Sequence, residues 1–303
     1  MGSLLITRET WTAQFVGLLE RAREQGDGRP LLWAGDLSGI TQMPGAALHY
    51  HQSLPSTNEL LRSLVAGGAT PGTVVMAGQQ TAGRGRHGRS WYSPPGGGRY
   101  CSLLLEPGII PERAGWITLA AALALVRAGK TFGADLQIKW PNDIECGGRK
   151  IAGVLAEMIS QEAVTDGIVL GIGVNIDWSG CDVPDDVLQR GGTLRDCTGD
   201  FVDGDRFIAH YLWEARHIVA ELEKPSDPDV PAPTNAGSES GLPPAFSSEV
   251  MAHMGYLGET VTIRLAGDEI RGICTGLTSE GFLELDGGRR VVAGELITHT
   301  ETV

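Results

Sequence analysis

Hydrophobic and polar positions change rhythm along these 303 residues, and the changes divide the chain. Up to residue 47 the pattern is weak, with one amphipathic stretch at 11–23 where Phe15, Leu18 and Leu19 fall on a shared helical face. From 48 to 224 helical and strand periods alternate. Ser56, Thr57, Asn58 and Glu59 fit a capping box ahead of Leu60, Leu61, Leu64 and Val65. Apolar runs at 73–77 and 101–105 predict buried strands, 114–127 a helix, and 136–140 a further strand. Segments 151–157 and 167–176 predict a hairpin around the polar turn at 160–166, and 206–223 a final helix. The rhythm then stops: 225–248 holds six prolines with serines and glycines and few large apolar side chains, which is linker chemistry. After it, Val261, Ile263, Leu265, Ile270, Leu283, Leu285, Val291 and Val292 alternate with polar residues between glycine turns, predicting a small β-barrel in 249–303.

Composition sets limits on function. Hydrophobic residues at 42% and charged residues at 20% are ordinary for a soluble globular protein. No apolar run approaches the roughly 20 residues needed to cross a bilayer, and the longest, at 117–126, is alanine-rich and reads as a buried helix. No secretory signal is visible, so a cytoplasmic protein is expected. The cysteines, Cys101, Cys146, Cys181, Cys197 and Cys274, are odd in number and form no close pair, and reduced thiols are expected. A net charge of -13 argues against non-specific nucleic-acid binding.

Against that charge, residues 80–91 place Arg84, Arg86 and Arg89 in a glycine-rich loop, suited to a polyanion that must approach the backbone closely. Gly83, Gly85 and Gly88 match the dinucleotide fingerprint, but that fingerprint requires a helix to follow. Two prolines and three glycines at 94–98 forbid one, so the Rossmann reading fails. Lys139, Trp140, Pro141, Asn142 and Asp143 end a strand with a cation, an aromatic and an acid. Pro-Asn-Asp is good turn chemistry, which leaves the lysine unexplained except as a point charge for phosphate or carboxylate. Asp143 suits either Mg²⁺ carrying a nucleotide phosphate or the orientation of an attacking amine. Arg149, Lys150 and Gly153 lie close enough beyond Asp143 for a hairpin to return them to the same edge. Asn175 interrupts an apolar strand and reads equally as a ligand contact or a structural amide. The histidines show no metal-ligand spacing, and no serine elbow or Cys-His arrangement points to covalent catalysis by the protein.

Together these segments resemble the biotin protein ligases. The resemblance rests on Ser56–Asn58, Ala77 with Gln80 to Arg86, Gly88-Arg89 and Trp91, Lys139 to Asp143, Arg149-Lys150 with Ala152-Gly153, and Gly171 with Gly173 and Asn175. In the last segment it rests on Gly267, Ile270, Gly272, Gly276, Gly281, Leu283 and Leu285. It covers about residues 48–224 and 256–297. It implies an α+β catalytic domain with a mixed sheet, related to class II aminoacyl-tRNA synthetases and carrying helices on one face, plus the small barrel. It further implies that biotin and MgATP form biotinyl-5′-AMP, and that biotin then passes to a lysine of a biotin carboxyl carrier domain. Ser56, Thr57, Asn58, Gln80, Gly83, Arg84, Lys150 and Gly153 are then expected at biotin. Arg86, Arg89, Trp91, Lys139, Asn142 and Asn175 are expected at the nucleotide. Arg84, Arg86, Lys139, Asp143 and Lys150 are expected to carry the chemistry, with metal ligands unassigned.

Bifunctional members of that family carry an N-terminal winged helix-turn-helix. Residues 1–47 show no second helix with a basic recognition face, because their arginines are offset by nearby acids. A ligase without repressor function is therefore expected, with a linker long for the family, and the resemblance also admits a homodimer through a sheet edge. A lipoate-type ligase shares the adenylate logic but lacks this arginine loop, the Lys139–Asp143 segment and the barrel. A biotin-responsive regulator is opposed by net charge.

Overall fold

The structure, a computed structural model, describes residues 7–32, 46–105, 114–161, 164–222, 241–265 and 267–297. Helix α1 (Arg8–Gln25) is capped by Thr7, whose hydroxyl accepts from the Thr10 amide, and ends at Gly26, whose φ of 87° suits glycine. Its apolar stripe holds as the periodicity predicts. Trp11, Phe15, Leu18, Leu19 and Ala22 are buried, and Trp11 stacks on Phe15 at 5.3 Å. So at least this part of the first 47 residues is built into the main core.

One sheet of eight strands organises the larger part of the molecule: β1 (Leu31–Leu32), β2 (Ala47–His51), β3 (Val74–Ala77), β4 (Gly98–Leu105), β5 (Gln137–Lys139), β6 (Asp143–Cys146), β7 (Arg149–Gln161) and β8 (Val164–Asn175). Their order is β1-β2-β3-β4-β8-β7-β6-β5. The sheet is mixed: β2 and β3 run parallel, while the other neighbours are antiparallel. The predicted hairpin is the β7–β8 pair, which continues beyond its expected ends.

Alternation along the strands sorts side chains between two faces. Val74, Met76, Cys101, Leu103, Leu170 and Ile172 join α1, α3 (Ala114–Thr131) and α6 (Gly204–Leu222) in the main core. Val75, Ala77, Tyr100, Leu104 and Val169 form a smaller cluster on the other side with Leu61 of α2 (Thr57–Ala66). The helices are therefore not confined to one face. The long ones are, but α2 lies on the opposite side, beside the cleft described below. Asp205 at the start of α6 ties three elements, meeting Arg23 of α1 at 2.6 Å and Arg99 of β4 at 2.6 Å. Burial would raise this carboxyl, but the two guanidiniums outweigh it and hold its pKa below the ordinary value.

The proline-rich segment differs in part from its expected linker character. Residues 223–240 lie outside the described residues, but Leu242 is buried and α7 (Pro244–Ala252) begins within the expected linker. Tandem prolines read as linker, yet a proline lacking its N–H costs a helix nothing in the first turn. Beyond it β9 (Thr260–Leu265), β10 (Asp268–Leu277), β11 (Leu283–Leu285), β12 (Arg289–Val291) and β13 (Glu295–Ile297) make the predicted small β-unit, an antiparallel sheet ordered β12-β11-β10-β9-β13. Val261, Ile263, Leu283, Leu285 and Val291 face its core, whereas Val292, expected there, is 64% exposed.

This unit docks on β5 and α3. The Ile138 amide donates to His253 O at 2.8 Å, the Trp140 amide donates to the Tyr256 hydroxyl at 2.8 Å, and the Trp140 and Trp116 indoles donate to Gly281 O and Glu280 O.

The cysteine expectation is corrected. Cys146 at the end of β6 and Cys197 in α5 (Leu194–Thr198) form a disulfide, while Cys101, Cys181 and Cys274 are free. The partners are 51 residues apart in sequence and meet only through tertiary structure, so no spacing motif announces them.

Candidate active site

A cleft of about 760 Å³ opens on the α2 side of the sheet, across the glycine-rich centre of β7 and β8. It gathers Ser56, Thr57, Asn58, Gln80, Gly83, Arg84, Arg86, Arg89, Trp91, Lys139, Asn142, Asp143, Lys150, Gly153 and Asn175, which is every residue assigned from the sequence. Four chain segments far apart in sequence thus converge on one surface.

One end is set by the start of α2. Ser56 caps the helix by accepting from the Glu59 amide, but the reciprocal half of the predicted capping box is missing, because Glu59 turns to Arg84 at 3.4 Å. Thr57 donates its amide to Gln80 Oε1 at 2.9 Å, and Gln80 Nε2 donates to Ser93 Oγ at 3.1 Å. Asn58 does not present its amide to open space. Its Nδ2 donates to Glu157 at 2.7 Å, and its Oδ1 lies 2.6 Å from Ser102 Oγ.

The arginine loop is a tight return with no helix after it, in keeping with rejection of the dinucleotide fingerprint. Gly85 N donates to Arg89 O at 2.7 Å and Trp91 N to Gly83 O at 2.8 Å, around a single 3-10 turn at Arg86–Gly88. His87 at its tip has φ 56°, a conformation uncommon for a residue with a side chain. Each arginine is held by a different element. Arg84 meets Glu59, Arg86 donates to Asn142 Oδ1 at 2.9 Å, and Arg89 makes a two-pronged pair with Glu295 of β13. Burial lowers the pKa of Arg86, whereas the hydrogen bond from Arg89 holds Glu295 below the usual carboxylate range.

The floor is glycine for a packing reason. A Cβ on Gly173 would overlap the Trp91 indole, and one on Gly171 the Asn58 amide. At Gly153 the indole lies where a side chain would be, and at Gly83 a Cβ would meet the Trp91 carbonyl and Ser93. Gly83 and Gly153, expected at biotin, both lie against Trp91 here. The indole Nε1 is buried and has no partner among the described residues.

The third wall holds the charges. Lys150 Nζ lies 2.7 Å from Asp143 Oδ2 and 5.2 Å from the centre of the Trp91 ring. The other oxygen, Asp143 Oδ1, is buried without a partner among the described residues. Lys139 is 7% exposed and pairs with Glu145 at 3.0 Å, a cross-strand arrangement that gives its burial a partner. Asn175 donates to Gly192 O at 3.0 Å and Lys150 O at 3.3 Å, so its amide holds two backbone segments together. No cluster of three metal-ligating side chains occurs among the described residues.

Sequence reasoning missed Ser93, Ser102, Glu145, Glu157 and Glu295. Ser102 and Glu157 had a usable signal, being polar residues inside strands read as buried. Glu295 had none, since it arrives from the separate C-terminal unit.

Comparison with known proteins agrees with this architecture. The family model described as biotin/lipoate A/B protein ligase matches residues 50–175, and that of the biotin protein ligase C-terminal domain matches residues 256–296. The biotin--[acetyl-CoA-carboxylase] ligase of Mycobacterium tuberculosis is 31% identical over 256 residues, covering 80% of this chain and 85% of that protein. The chain therefore belongs to the biotin protein ligases within the biotin/lipoate A/B protein ligase family. The bifunctional ligase/repressor BirA of Bacillus subtilis is 38% identical over 173 residues, covering 57% of this chain. The matched region spans only 53% of that relative's length. Among solved structures, a biotin protein ligase from Aquifex aeolicus in complex with biotin and ATP superposes with a TM-score of 0.67 at 27% identity, covering 82% of this chain and 97% of that one.

Proposed function

We propose that this chain activates biotin with MgATP to biotinyl-5′-AMP and transfers biotin to a lysine of a biotin carboxyl carrier domain. One observation carries the reading: a single cleft joins a neutral hydrogen-bonding end at Thr57 and Gln80 to a cationic end at Arg84, Arg86, Arg89 and Lys150. A ligand with a polar uncharged head and an acid that must meet a triphosphate fits such a cleft. The relatives named for biotin ligation and the complex with biotin and ATP support it.

In the first step the biotin carboxylate attacks the α-phosphorus of MgATP; a carboxyl–phosphate bond forms and pyrophosphate leaves. Both reactants are anions, and Lys150 with the loop arginines offsets their repulsion. Lys139 and Asn142 hold the phosphate side, Asn175 fixes the wall on which the nucleotide lies, and Trp91 covers it. In the second step a carrier amine attacks the acyl carbon and AMP leaves. An amine with a pKa near ~10.4 must lose a proton before it attacks, and the unpartnered Asp143 Oδ1 is the acceptor that orients it. The substrates supply both nucleophiles.

The wider assignments belong to this proposal too. Residues 48–224, completed by α1 and β1, form the catalytic domain, 249–303 the small β-domain, and the protein works in the cytoplasm without binding nucleic acid. No helix among the described residues is long and apolar enough to cross a membrane. A homodimer through a sheet edge would use β1, because His253 engages the β5 edge. The test is pyrophosphate release with MgATP and biotin, lipoate or no acid. Release dependent on biotin supports the reading. Release with lipoate moves the assignment to the sister chemistry, and silence from folded protein overturns it.

A further inference from the structure

We infer that Glu157 and Ser102, neither of them assigned to the site from the sequence, are positioning residues. Acting through Asn58, they fix the hydrogen-bond polarity of the Thr57–Gln80 end, so that it takes a ring bearing N–H donors. The inference rests on the proposed biotin reading and adds a basis for its specificity.

The argument is a count of protons. Asn58 is 4% exposed, Thr57 3% and Ser102 is fully buried, so each hydroxyl and amide must be satisfied within this group or by ligand. An amide's nitrogen and oxygen are told apart only by their partners. The partners here are unambiguous. The Glu157 carboxylate, 2.7 Å from Asn58 Nδ2, only accepts, and Leu155 O, 3.4 Å away, only accepts. Asn58 Oδ1 therefore faces Ser102 Oγ at 2.6 Å and must accept the serine proton. Serine has one proton, so the 2.7 Å contact between Ser102 Oγ and Thr57 Oγ1 can be bridged only by the threonine proton. That proton is then unavailable to Gln80 Oε1, 3.1 Å from Thr57 Oγ1, which is satisfied by the Thr57 amide instead. Gln80 is fixed in the same sense, because its Nε2 donates to Ser93 Oγ, which hydrogen-bonds in turn to Trp91 O.

The result is a relay with one direction. Protons run from Thr57 to Ser102 to Asn58 Oδ1, and the Asn58 amide hydrogens run to Glu157. Thr57 Oγ1 and Gln80 Oε1 are left as acceptors at the cleft, which suits a cyclic urea and rejects an isosteric ring with oxygen in place of N–H. Gly171 completes the device, because any side chain there would displace the Asn58 amide.

The test compares biotin with its cyclic-carbamate analogue, in which oxygen replaces one ureido N–H, by KM in pyrophosphate release. Variants are Glu157→Leu, Glu157→Gln and Ser102→Ala. Wild type should strongly prefer biotin. Glu157→Leu frees the Asn58 amide to turn over and the relay to reverse. It should raise the KM for biotin about tenfold, one net hydrogen bond's worth. It should also shrink the analogue-to-biotin KM ratio at least fivefold while leaving the KM for ATP unchanged. Glu157→Gln keeps an acceptor and should restore biotin preference, and Ser102→Ala should lose it. An unchanged KM ratio in Glu157→Leu, or an equal rise in the KM for ATP, overturns the inference. Absence of biotin-dependent turnover in wild type would instead overturn the functional reading beneath it.

Discussion

Replacing Lys150 by Met tests the electrostatic core of the proposed first step. The side chain sits at the meeting point of the two halves of the cleft, 2.7 Å from Asp143 and over the Trp91 ring. Methionine keeps most of the apolar stem against the indole and removes the charge. Two like charges brought to about 4 Å at an effective dielectric constant of about 20 repel by about 4 kcal/mol. A cation at the contact can offset that, but Lys150 is one-third exposed and shares its charge with Asp143. Half the full value, about 2 kcal/mol, is a reasonable share, equivalent to a roughly 30-fold slower step. The measurement is single-turnover, biotin-dependent pyrophosphate release at saturating MgATP and biotin. Lys150→Met should be slowed about 30-fold with little change in the KM for ATP. The double variant with Asp143→Asn separates two explanations. If Lys150 merely neutralises Asp143, removing both restores the rate; if it screens the incoming carboxylate, the double variant stays slow. A single variant within threefold of wild type, or a restored double variant, would refute the reasoning.

Other consequences follow from the same structure. Gly173→Ala forces a Cβ into the Trp91 indole and should destabilise the fold by about 1–3 kcal/mol; the cost in urea unfolding should fall when Trp91→Ala is also present, and an equal cost in both backgrounds would count against the contact. The Cys146–Cys197 bridge closes a 51-residue separation, for which loop entropy gives at most about 4 kcal/mol. Non-reduced, unfolded protein should show three titratable thiols of five and lose stability on reduction, and five thiols would refute the bridge. Asp205→Asn should cost about 3 kcal/mol near neutral pH by leaving Arg23 and Arg99 without their carboxylate. Because the folded pKa of Asp205 lies below 3.8, its contribution is complete above that value and lost as pH falls through the folded pKa. The difference from wild type in urea midpoint should therefore close in acid, and a gap unchanged at about pH 3 would contradict the assignment.

Much of this was legible in the sequence because the relevant signals are local. Turn chemistry and apolar periodicity located β3, β4, β5, β7 and β8 with α1, α3 and α6, but not β6, and clustered glycines beside cations marked the segments that line the cleft. What escaped is tertiary. At Gly83 and Gly153 sequence shows that a side chain is absent but not that Trp91 lies against the space. The tandem prolines at 243 and 244 were read as linker when they open α7. Lys139 reads as a point charge for phosphate or carboxylate, and the antiparallel β5–β6 pairing, invisible in the sequence, brings Glu145 against it. For Asn58, expected at biotin, the sequence gives no sign of its partners on β4 and β7, some 44 and 97 or more residues away.

The arginine loop also bears on how a strongly acidic protein could hold the proposed polyanion site. Three guanidiniums on one loop repel one another, and each is matched to an acceptor on a separate element. The matches are unequal. Arg84 with Glu59 and Arg89 with Glu295 are all more than 40% exposed, and exposed pairs contribute only about 0.2–1 kcal/mol. A phosphate carrying more than one charge competes with such single carboxylates at small cost. Arg86 differs: it is more buried, its partner is the neutral amide of Asn142, and that amide is anchored in turn by Val154 O at 3.0 Å. On the proposed phosphate role, Arg86 would be a fixed anchor and Arg84 and Arg89 exchangeable arms. Since Glu295 belongs to the C-terminal unit, the proposed nucleotide role would require Arg89 to leave that unit's edge, so nucleotide and small β-domain would compete for the same guanidinium.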